Sequence, residues 1–391
     1  MLKRFSANHQ LPFTNYRFIM RWDLFCSVVD NLGDIGVSWR LARQLAAEHA
    51  ADVRLWVDDL AAFRTLAPTL DAAADAQPLG DIEVRAWKMP FAPVEPADIV
   101  VETFGCEVPA AYVEAMARRP RAPVWINLEY LSAERWVDGC HGLPSPHPRW
   151  PLVKYYFFPG FTPRTGGVLI EHGLTRRRGT FQQDGSAAKF LDGLGVRSEA
   201  GEVLVSLFCY AQAPMEALLE TIAAGNRPTR VISFAGTPGA RALDAFGVAG
   251  GRRRSGLAGV NLPFLSQDDY DRVLWACDWN FVRGEDSFVR AQLAARPLIW
   301  QAYPQSGDAH GIKLQAFLSR YCKAEDPSQS SIGALWQAWN GLAPAQGLGV
   351  AWTACLAAHG TLQAAAQEWP ARLEGLGGLA GNLAQFCTER V

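Results

Sequence analysis

Two carboxylates and two glycines lie where an apolar run gives way to an amphipathic one. The stretch "FCSVVDNLGDIGVSWRLARQL" contains Asp30, Asp34, Gly33 and Gly36. Two acids would repel a pyrophosphate, and the spacing is not the GxGxxG of a dinucleotide site. Such a turn suits a cationic or hydroxyl-bearing acceptor that must lose a proton, with the glycines allowing close backbone approach. The competing interpretation is structural, with Asp34 capping the helix and Asp30 stabilising the turn.

A second acidic turn lies in "WNFVRGEDSFVRAQL". The free N–H groups at a helix N-terminus attract anions, and Ser287 adds a hydroxyl there. Glu285 is placed to grip sugar hydroxyls, although Glu285 and Asp286 also suit a capping cluster, since acids are favourable in a first helical turn. Arg283 fits either a phosphate partner or a structural ion pair.

Three further segments carry candidate binding residues. "SLFCYAQAP" contains Phe208 and Tyr210, and "NLPFLSQDDYD" contains Phe264 and Gln267. A ring that stacks and an amide that pairs suit recognition of a pyrimidine base, whereas Phe208 fits a core position equally well. His310, in "QSGDAHGIKL", is a candidate phosphate contact, with a structural role as the alternative.

No motif indicates a metal site or another common catalytic centre. The chain lacks HExxH, a Walker lysine loop and a serine nucleophile elbow. Its eight cysteines are scattered singly without a CxxC pair, as is typical of reduced core cysteines. The sequence therefore predicts neither metal dependence nor a disulfide framework.

Two consecutive α/β halves must position these residues. Apolar runs such as "WDLFCSVV", "ADIVVETF" and "EVLVSLFCY" alternate with helical patterns, which predicts parallel sheets. With 391 residues, 14 Trp and 20 Phe, the chain can bury two domain cores. The predicted fold is two Rossmann-like domains facing across a cleft, with a helical C-terminal tail. Ligands of open α/β sheets bind beyond the carboxyl ends of the strands, so the cleft is the expected site.

The expected domain bounds follow composition. Residues 1–20 form an N-terminal extension, 21–185 the first domain and 186–370 the second, and 371–391 a C-terminal helix that packs back on the first. The stretch from 139 to 179 is rich in Pro, Gly and aromatic residues, which predicts long surface loops. Met20 is a candidate alternative translation start.

Charge and hydropathy exclude several function classes. The net charge of −2 argues against a general nucleic-acid binder. No apolar stretch reaches the roughly 18–20 residues of a membrane span. The N-terminus lacks the apolar segment of a secretory signal. We therefore expect a soluble, cytoplasmic protein without nucleic-acid or membrane partners.

Several long motifs resemble one family. These are "VVDNLGDIGVSWRLARQL", "WINLEYLSAERWVDGCHGLPSP", "VSLFCY", "LPFLSQDDYDRVLWACDWNFVRGEDSFVRAQLAARPLIWQ" and "QSGDAHGIKL", in order over about residues 22 to 320. Together they resemble the bacterial elongation factor P arginine rhamnosyltransferases, the EarP family.

The resemblance implies a GT-B glycosyltransferase. Its first domain would hold a protein acceptor and its second dTDP-β-L-rhamnose, without a cofactor or metal. The implied reaction moves rhamnose, with inversion, onto a guanidine nitrogen of one arginine of elongation factor P. That post-translational modification activates the factor to relieve ribosomes stalled on polyproline.

The family's functional residues carry over to matching positions. Asp34 matches the general base, Asp30 a carboxylate that holds the guanidinium, and Glu285 an essential glutamate of the second domain. The matched donor-binding positions are Phe208, Tyr210, Phe264, Gln267, Arg283, Glu285, Asp286 and Ser287. Asn31, Gly33 and His310 are weaker candidates, and "INLEYLSAE" has no assigned role.

Two alternatives remain open at this level. The first is another GT-B sugar-nucleotide enzyme with a lipid or small-molecule acceptor, for which only the arginine runs "TRRRG" and "GRRRSG" offer a basic patch. Such runs are more often solvated loops. The second is a non-catalytic sugar-nucleotide sensor, which would not need two acids facing the donor.

Overall fold

The computed structural model describes residues 20–29, 32–304, 309–322 and 326–391. Asp30, Asn31 and the extension 1–19 lie outside these ranges. Within them the chain forms two α/β domains, each built on one mostly parallel sheet. This confirms the expected two-sheet architecture.

The first domain contains eight strands in the order β3-β4-β2-β1-β5-β6-β8-β7. Their bounds are β1 (Arg21–Cys26), β2 (Asp52–Val57), β3 (Ala76–Leu79), β4 (Ile82–Ala86), β5 (Ile99–Thr103), β6 (Val124–Leu128), β7 (Pro144–Pro146) and β8 (Val153–Phe157). Helices α1 (Gly33–His49), α2 (Leu60–Leu66), α3 (Ala110–Arg118) and α4 (Val137–Cys140) connect them. β5 and β6 are buried at every position, which explains their continuous apolar runs.

The second domain contains six strands in the order β11-β12-β10-β9-β13-β14. Their bounds are β9 (Val203–Leu207), β10 (Thr229–Phe234), β11 (Arg253–Arg254), β12 (Leu257–Leu262), β13 (Trp279–Arg283) and β14 (Leu298–Gln301). The accompanying helices are α5 (Leu174–Gln183), α6 (Ser186–Gly193), α7 (Met215–Ala224), α8 (Pro238–Ala245), α9 (Gln267–Ala276) and α10 (Asp286–Leu293).

The prediction of long loops from 139 to 179 was wrong in part. Strand β8 pairs parallel with β6 and antiparallel with the short β7, and so extends the first sheet. The flanking prolines hid this strand, because Pro is compatible with an edge strand and a turn alike. Helix α5 begins in the same stretch.

The helical tail consists of α11 (Ala309–Tyr321), α12 (Pro327–Trp339), α13 (Gln346–Ala357), α14 (His359–Glu374) and α15 (Leu379–Thr388). Trp336, Trp339 and Trp352 from α12 and α13 join the core of the second domain. α15 instead buries Leu383 and Cys387 in the core of the first.

The chain therefore passes between the domains twice. The first passage runs through Val168 and the second through Gly378. These two segments lie side by side, since Val168 and Gly378 form an isolated parallel β-bridge and the Leu379 N–H donates to the Val168 carbonyl at 2.8 Å. α5, ahead of the expected boundary at residue 185, already contacts the second domain, because Arg178 donates to the carbonyl of Leu293 at 2.6 Å. The expected domain bounds stay a prediction.

The described helices contain no segment that is both long enough and apolar enough to span a bilayer.

Candidate functional site

Asp34 lies in the first turn of α1, just beyond the carboxyl end of β1. Its side chain is buried and accepts the N–H of Val29 at 3.3 Å and the hydroxyl of Tyr130 at 3.2 Å. The N-cap of α1 is Leu32, which makes no side-chain cap, so Asp34 is not the capping residue. Its carboxylate instead holds the loop that precedes the helix. Its sequence partner Asp30 falls outside the described residues.

Glu285 lies at the start of α10, at the carboxyl end of β13. Its carboxylate accepts the N–H of Leu131 at 3.0 Å. It lines a small cavity between the domains whose other walls are mostly apolar, among them Val37 and Val168. Burial, together with the negative charges of Asp34 and Asp286, raises the pKa of Glu285 to about 8. At neutral pH this carboxyl is mostly protonated and can donate a hydrogen bond.

Consecutive residues of the "INLEYLSAE" segment connect these two carboxylates. Tyr130 donates to Asp34, and the next N–H, that of Leu131, donates to Glu285. Arg320 of α11 holds the same segment by donating to the carbonyl of Ala133 at 2.8 Å. The segment without an assigned role thus lies between the two candidate catalytic acids. Its position across the carboxyl end of the buried strand β6 was the signal in the sequence that could have identified it.

The aromatic donor-site candidates form a group around Arg283. The guanidinium of Arg283 lies 4.6 Å from the ring centre of Phe208 and 4.6 Å from that of Tyr210. The Tyr210 N–H donates to the side chain of Gln301 at 2.7 Å, and its ring packs edge-on against Tyr303. No ion pair of Arg283 occurs within the described part of the chain, so the structural ion pair envisaged for it is not found there. Its positive charge lies at the carboxyl ends of β9 and β13.

Other donor-site candidates differ in their surroundings. Phe264 is 51% exposed in the loop before α9, as a ring for stacking must be. Ser287 donates its hydroxyl to the carbonyl of Arg283, so this hydroxyl is engaged by the last residue of β13. His310 is partly buried near the start of α11, and Gly33 is the first residue of α1.

Two of the donor-site candidates, Gln267 and Asp286, contact residues of the first domain. Gln267 donates to the carbonyl of Gly36 at 3.0 Å and accepts from Arg43 at 3.0 Å. The carboxylate of Asp286 lies 2.9 Å from the Nε of Arg40. The close approach expected at Gly36 is therefore made by α9, since a Cβ there would lie 3.4 Å from the Gln267 amide.

A buried ionic cluster joins α1 to α9 and α10, and no local pattern in the sequence indicates it. Asp271 accepts from Arg40 at 3.1 Å and from Arg290 at 2.7 Å. Glu171, in the passage between the domains, accepts from Arg290 at 2.8 Å and lies 3.6 Å from Arg40. Burial opposes ionisation of Glu171, but the two guanidiniums outweigh it and lower its pKa. Because Asp34 lies in α1 and Glu285 at the start of α10, the cluster holds these two carboxylates in a fixed relative position.

Across the described ranges, no group of three His, Cys, Asp or Glu side chains is arranged to hold a metal ion. The geometry instead joins an acidic group from the first domain with an acid, a cation and aromatic rings from the second. That combination can bind a cationic acceptor opposite a ring-bearing anionic donor.

Sequence relatives agree with this geometry. The family described as Elongation-Factor P (EF-P) rhamnosyltransferase EarP matches residues 22–388. A protein-arginine rhamnosyltransferase of Pseudomonas putida is 49% identical over 93% of this chain and 98% of its own length. That of Pseudomonas aeruginosa is 46% identical over 94% and 99%.

Solved structures support the same assignment. A structure described as "Structural basis for EarP-mediated arginine glycosylation of translation elongation factor EF-P" aligns with a TM-score of 0.64 and 34% identity, over 95% of this chain and 100% of its own. MurG of Acinetobacter baumannii aligns with a TM-score of 0.52 at 10% identity over 95% and 99%, which reflects the shared GT-B fold. The chain therefore belongs to the EarP family of protein-arginine rhamnosyltransferases, which makes it a glycosyltransferase.

Proposed function

We propose that the chain transfers L-rhamnose from dTDP-β-L-rhamnose to a guanidine nitrogen of one arginine of elongation factor P, with inversion at the anomeric carbon. The modified factor would then relieve ribosomes stalled on polyproline. The observation that carries this proposal is the pairing of Asp34 and Glu285, which come from different domains and are connected through Tyr130 and Leu131. A similar solved structure that is described in terms of EarP-mediated arginine glycosylation of EF-P supports the choice of acceptor.

The acceptor chemistry explains the acidic turn. A guanidinium has a pKa above ~12 and delocalised lone pairs, so it is a poor nucleophile until a carboxylate orients it and takes a proton. Asp34 is the proposed base, and Asp30 the proposed second carboxylate that grips the guanidinium in fork geometry. As the nitrogen attacks the anomeric carbon, the bond to the diphosphate breaks and the proton passes to Asp34.

The donor chemistry uses the second domain. The transition state of glycosyl transfer has oxocarbenium character, and the departing dTDP gains negative charge. Arg283 and the N-terminus of α10 are the proposed partners of that charge, so the proposed reaction needs no metal ion. Phe264 and Phe208 are the proposed contacts of the thymine ring of dTDP. Protonated Glu285 is proposed to donate a hydrogen bond to the sugar or the diphosphate.

The proposed acceptor also bears on location and on the alternatives. A translation factor is met in the cytoplasm, which is the proposed place of action. A lipid or small-molecule acceptor is less favoured, because relatives up to 49% identical are described as protein-arginine rhamnosyltransferases. A sugar-nucleotide sensor would have no use for Asp34 beside the donor site.

Intact mass spectrometry tests the proposal. Purified elongation factor P, incubated with this protein and dTDP-β-L-rhamnose, should gain the mass of one deoxyhexose. A factor with its acceptor arginine changed to lysine is the control and should gain none. No gain with the natural factor, despite measured binding of dTDP-β-L-rhamnose, would disprove the choice of acceptor.

A further inference from the structure

The first turn of α10 carries a carboxylate where the proposed donor needs a positive environment. α10 begins at Asp286, three residues after Arg283 at the carboxyl end of β13. Its N-cap residue, Glu285, makes no side-chain hydrogen bond to the helix, so its carboxylate leaves the N–H groups of the first turn uncapped. These N–H groups attract a diphosphate, but the negative charge of Asp286 repels it. A diphosphate therefore binds well here only if that charge is compensated.

The compensating charge comes from the first domain. The Nε of Arg40, in α1, lies 2.9 Å from the Asp286 carboxylate. The other two nitrogens of this guanidinium donate to Asp271 at 3.3 and 3.1 Å, which fixes the orientation of the group. The side chain of Arg40 is 2% exposed and that of Asp286 is 20% exposed. The cation is therefore shielded from water, which strengthens its effect on the neighbouring carboxylate.

The charges of the ionic cluster show how much depends on Arg40. Its members are two guanidiniums and three carboxylates, those of Arg40, Arg290, Asp271, Glu171 and Asp286. They leave one negative charge uncompensated, and loss of Arg40 would leave two. Arg290 pairs with Asp271 and Glu171. Among the described residues, Arg40 is the one that forms an ion pair with Asp286.

We propose that Arg40 of the first domain enables the donor site of the second domain to bind a diphosphate, by compensating the charge of Asp286. This inference rests on the proposed function and adds a positioning residue to it, since Arg40 acts on the donor through Asp286. The donor site is then complete only while the two domains are in contact, because α1 supplies a charge that α10 lacks.

A double-mutant cycle on dTDP affinity tests this inference. Affinity is measured calorimetrically at constant ionic strength for wild type, Arg40→Met, Asp286→Asn and the double variant. Arg40→Met should weaken dTDP binding about 10- to 100-fold, because the diphosphate then meets an uncompensated carboxylate. Asp286→Asn should bind dTDP at least as tightly as wild type. The double variant leaves the cluster with the same net charge as wild type and should regain the wild-type affinity within about threefold.

Two results of the cycle would overturn the inference. An equal loss in Arg40→Met and in the double variant would show that Arg40 acts by holding the domains together and not through Asp286. A loss of dTDP affinity in Asp286→Asn would show that this carboxylate binds the donor directly. Asp286 is partly exposed and Asn has nearly its shape, so this single variant tests the inference even if Arg40→Met fails to fold.

Two controls separate charge from structure. Thymidine lacks the diphosphate, so its affinity, measured by saturation-transfer NMR, should agree between wild type and Arg40→Met within about twofold. Arg54→Met removes another buried guanidinium, the partner of Asp23 in the first domain, and should leave dTDP affinity unchanged. A comparable loss in either control would assign the effect of Arg40→Met to a disturbed fold and overturn the inference.

The proposed function and this inference fail in different ways. Binding of dTDP by the wild-type protein, without recovery of affinity in the double variant, overturns the inference alone. If the wild-type protein binds neither dTDP nor dTDP-β-L-rhamnose, the proposed donor and the inference are both wrong.

Discussion

At the residue scale, the two candidate catalytic acids differ because their surroundings differ. Asp34 accepts hydrogen bonds from the N–H of Val29 and the hydroxyl of Tyr130. Glu285 has one N–H partner and otherwise mostly apolar walls, and burial raises its pKa to about 8. Glu285 is thus suited to donate a hydrogen bond, whereas Asp34 is the acid proposed to take the guanidinium proton.

The role of Asp34 as base predicts a selective loss in Asp34→Asn. We expect kcat to fall about 10²- to 10⁴-fold, because the amide cannot take the guanidinium proton. Affinity for dTDP-β-L-rhamnose, measured calorimetrically, should stay near wild type. Glu107→Gln changes an exposed acid of the same domain and should have wild-type kcat. Near-normal turnover in Asp34→Asn would disprove the assignment.

The raised pKa of Glu285 predicts a pH-dependent difference in stability. The folded protein binds a proton at Glu285 that the unfolded chain, with a pKa of about 4.5, releases, so stability is lost as pH rises from about 4.5 to about 8. Glu285→Gln stays neutral throughout. In the absence of ligand, the Tm of Glu285→Gln should match that of the wild type near pH 4.5 and exceed it near pH 8.5. Differential scanning fluorimetry measures both. A constant Tm difference across this range would contradict the assignment.

At the element scale, α1, α9 and α10 act together through the Arg40, Asp271 and Arg290 side chains. The strand-end rule located the turns that carry Asp34 and Glu285, because parallel strands present their carboxyl ends at one edge. The family resemblance placed Gln267 and Asp286 at the donor site, and in the structure both also contact the first domain. Contacts between residues more than 200 positions apart leave no local pattern, so these pairings could not be read from the sequence.

Removal of one partner from the ionic cluster should be strongly destabilising. Arg40→Met leaves Asp271 and Asp286 with buried, less compensated charge, which lowers the free energy of unfolding by about 3–5 kcal/mol. Arg118→Met removes a pair that is 73% exposed on its arginine side and should change it by less than about 1 kcal/mol. Urea denaturation measures both, and similar values for the two variants would show that the cluster does not bind the domains together.

At the scale of the whole molecule, the last helix belongs to the domain in which the described chain begins. Leu383 and Cys387 of α15 lie in the same core as Trp22 and Leu24 of β1. Periodicity predicted a helical tail, because its apolar positions recur at helical spacing. The packing partners of each tail helix were not predictable, since α12 to α15 all carry apolar faces and only three-dimensional contact distinguishes them.

Truncation of a buried side chain in α15 should weaken the first domain. Leu383 is fully buried, so Leu383→Ala should lower the free energy of unfolding by about 2–5 kcal/mol. Gln385→Ala, an exposed change in the same helix, should have little effect. Chemical denaturation followed by tryptophan fluorescence compares them. Equal stability of the two variants would show that α15 adds little to that core.

The double passage between the domains has a consequence for synthesis. The second domain is an insertion within the first, because β1 to β8 precede it and α15 follows it. A ribosome delivers residues in order, and domains generally fold as they emerge. The core face of the first sheet, β1 to β8, therefore stays partly uncovered until α15 leaves the ribosome. The inserted domain can be complete while its host is still unfinished.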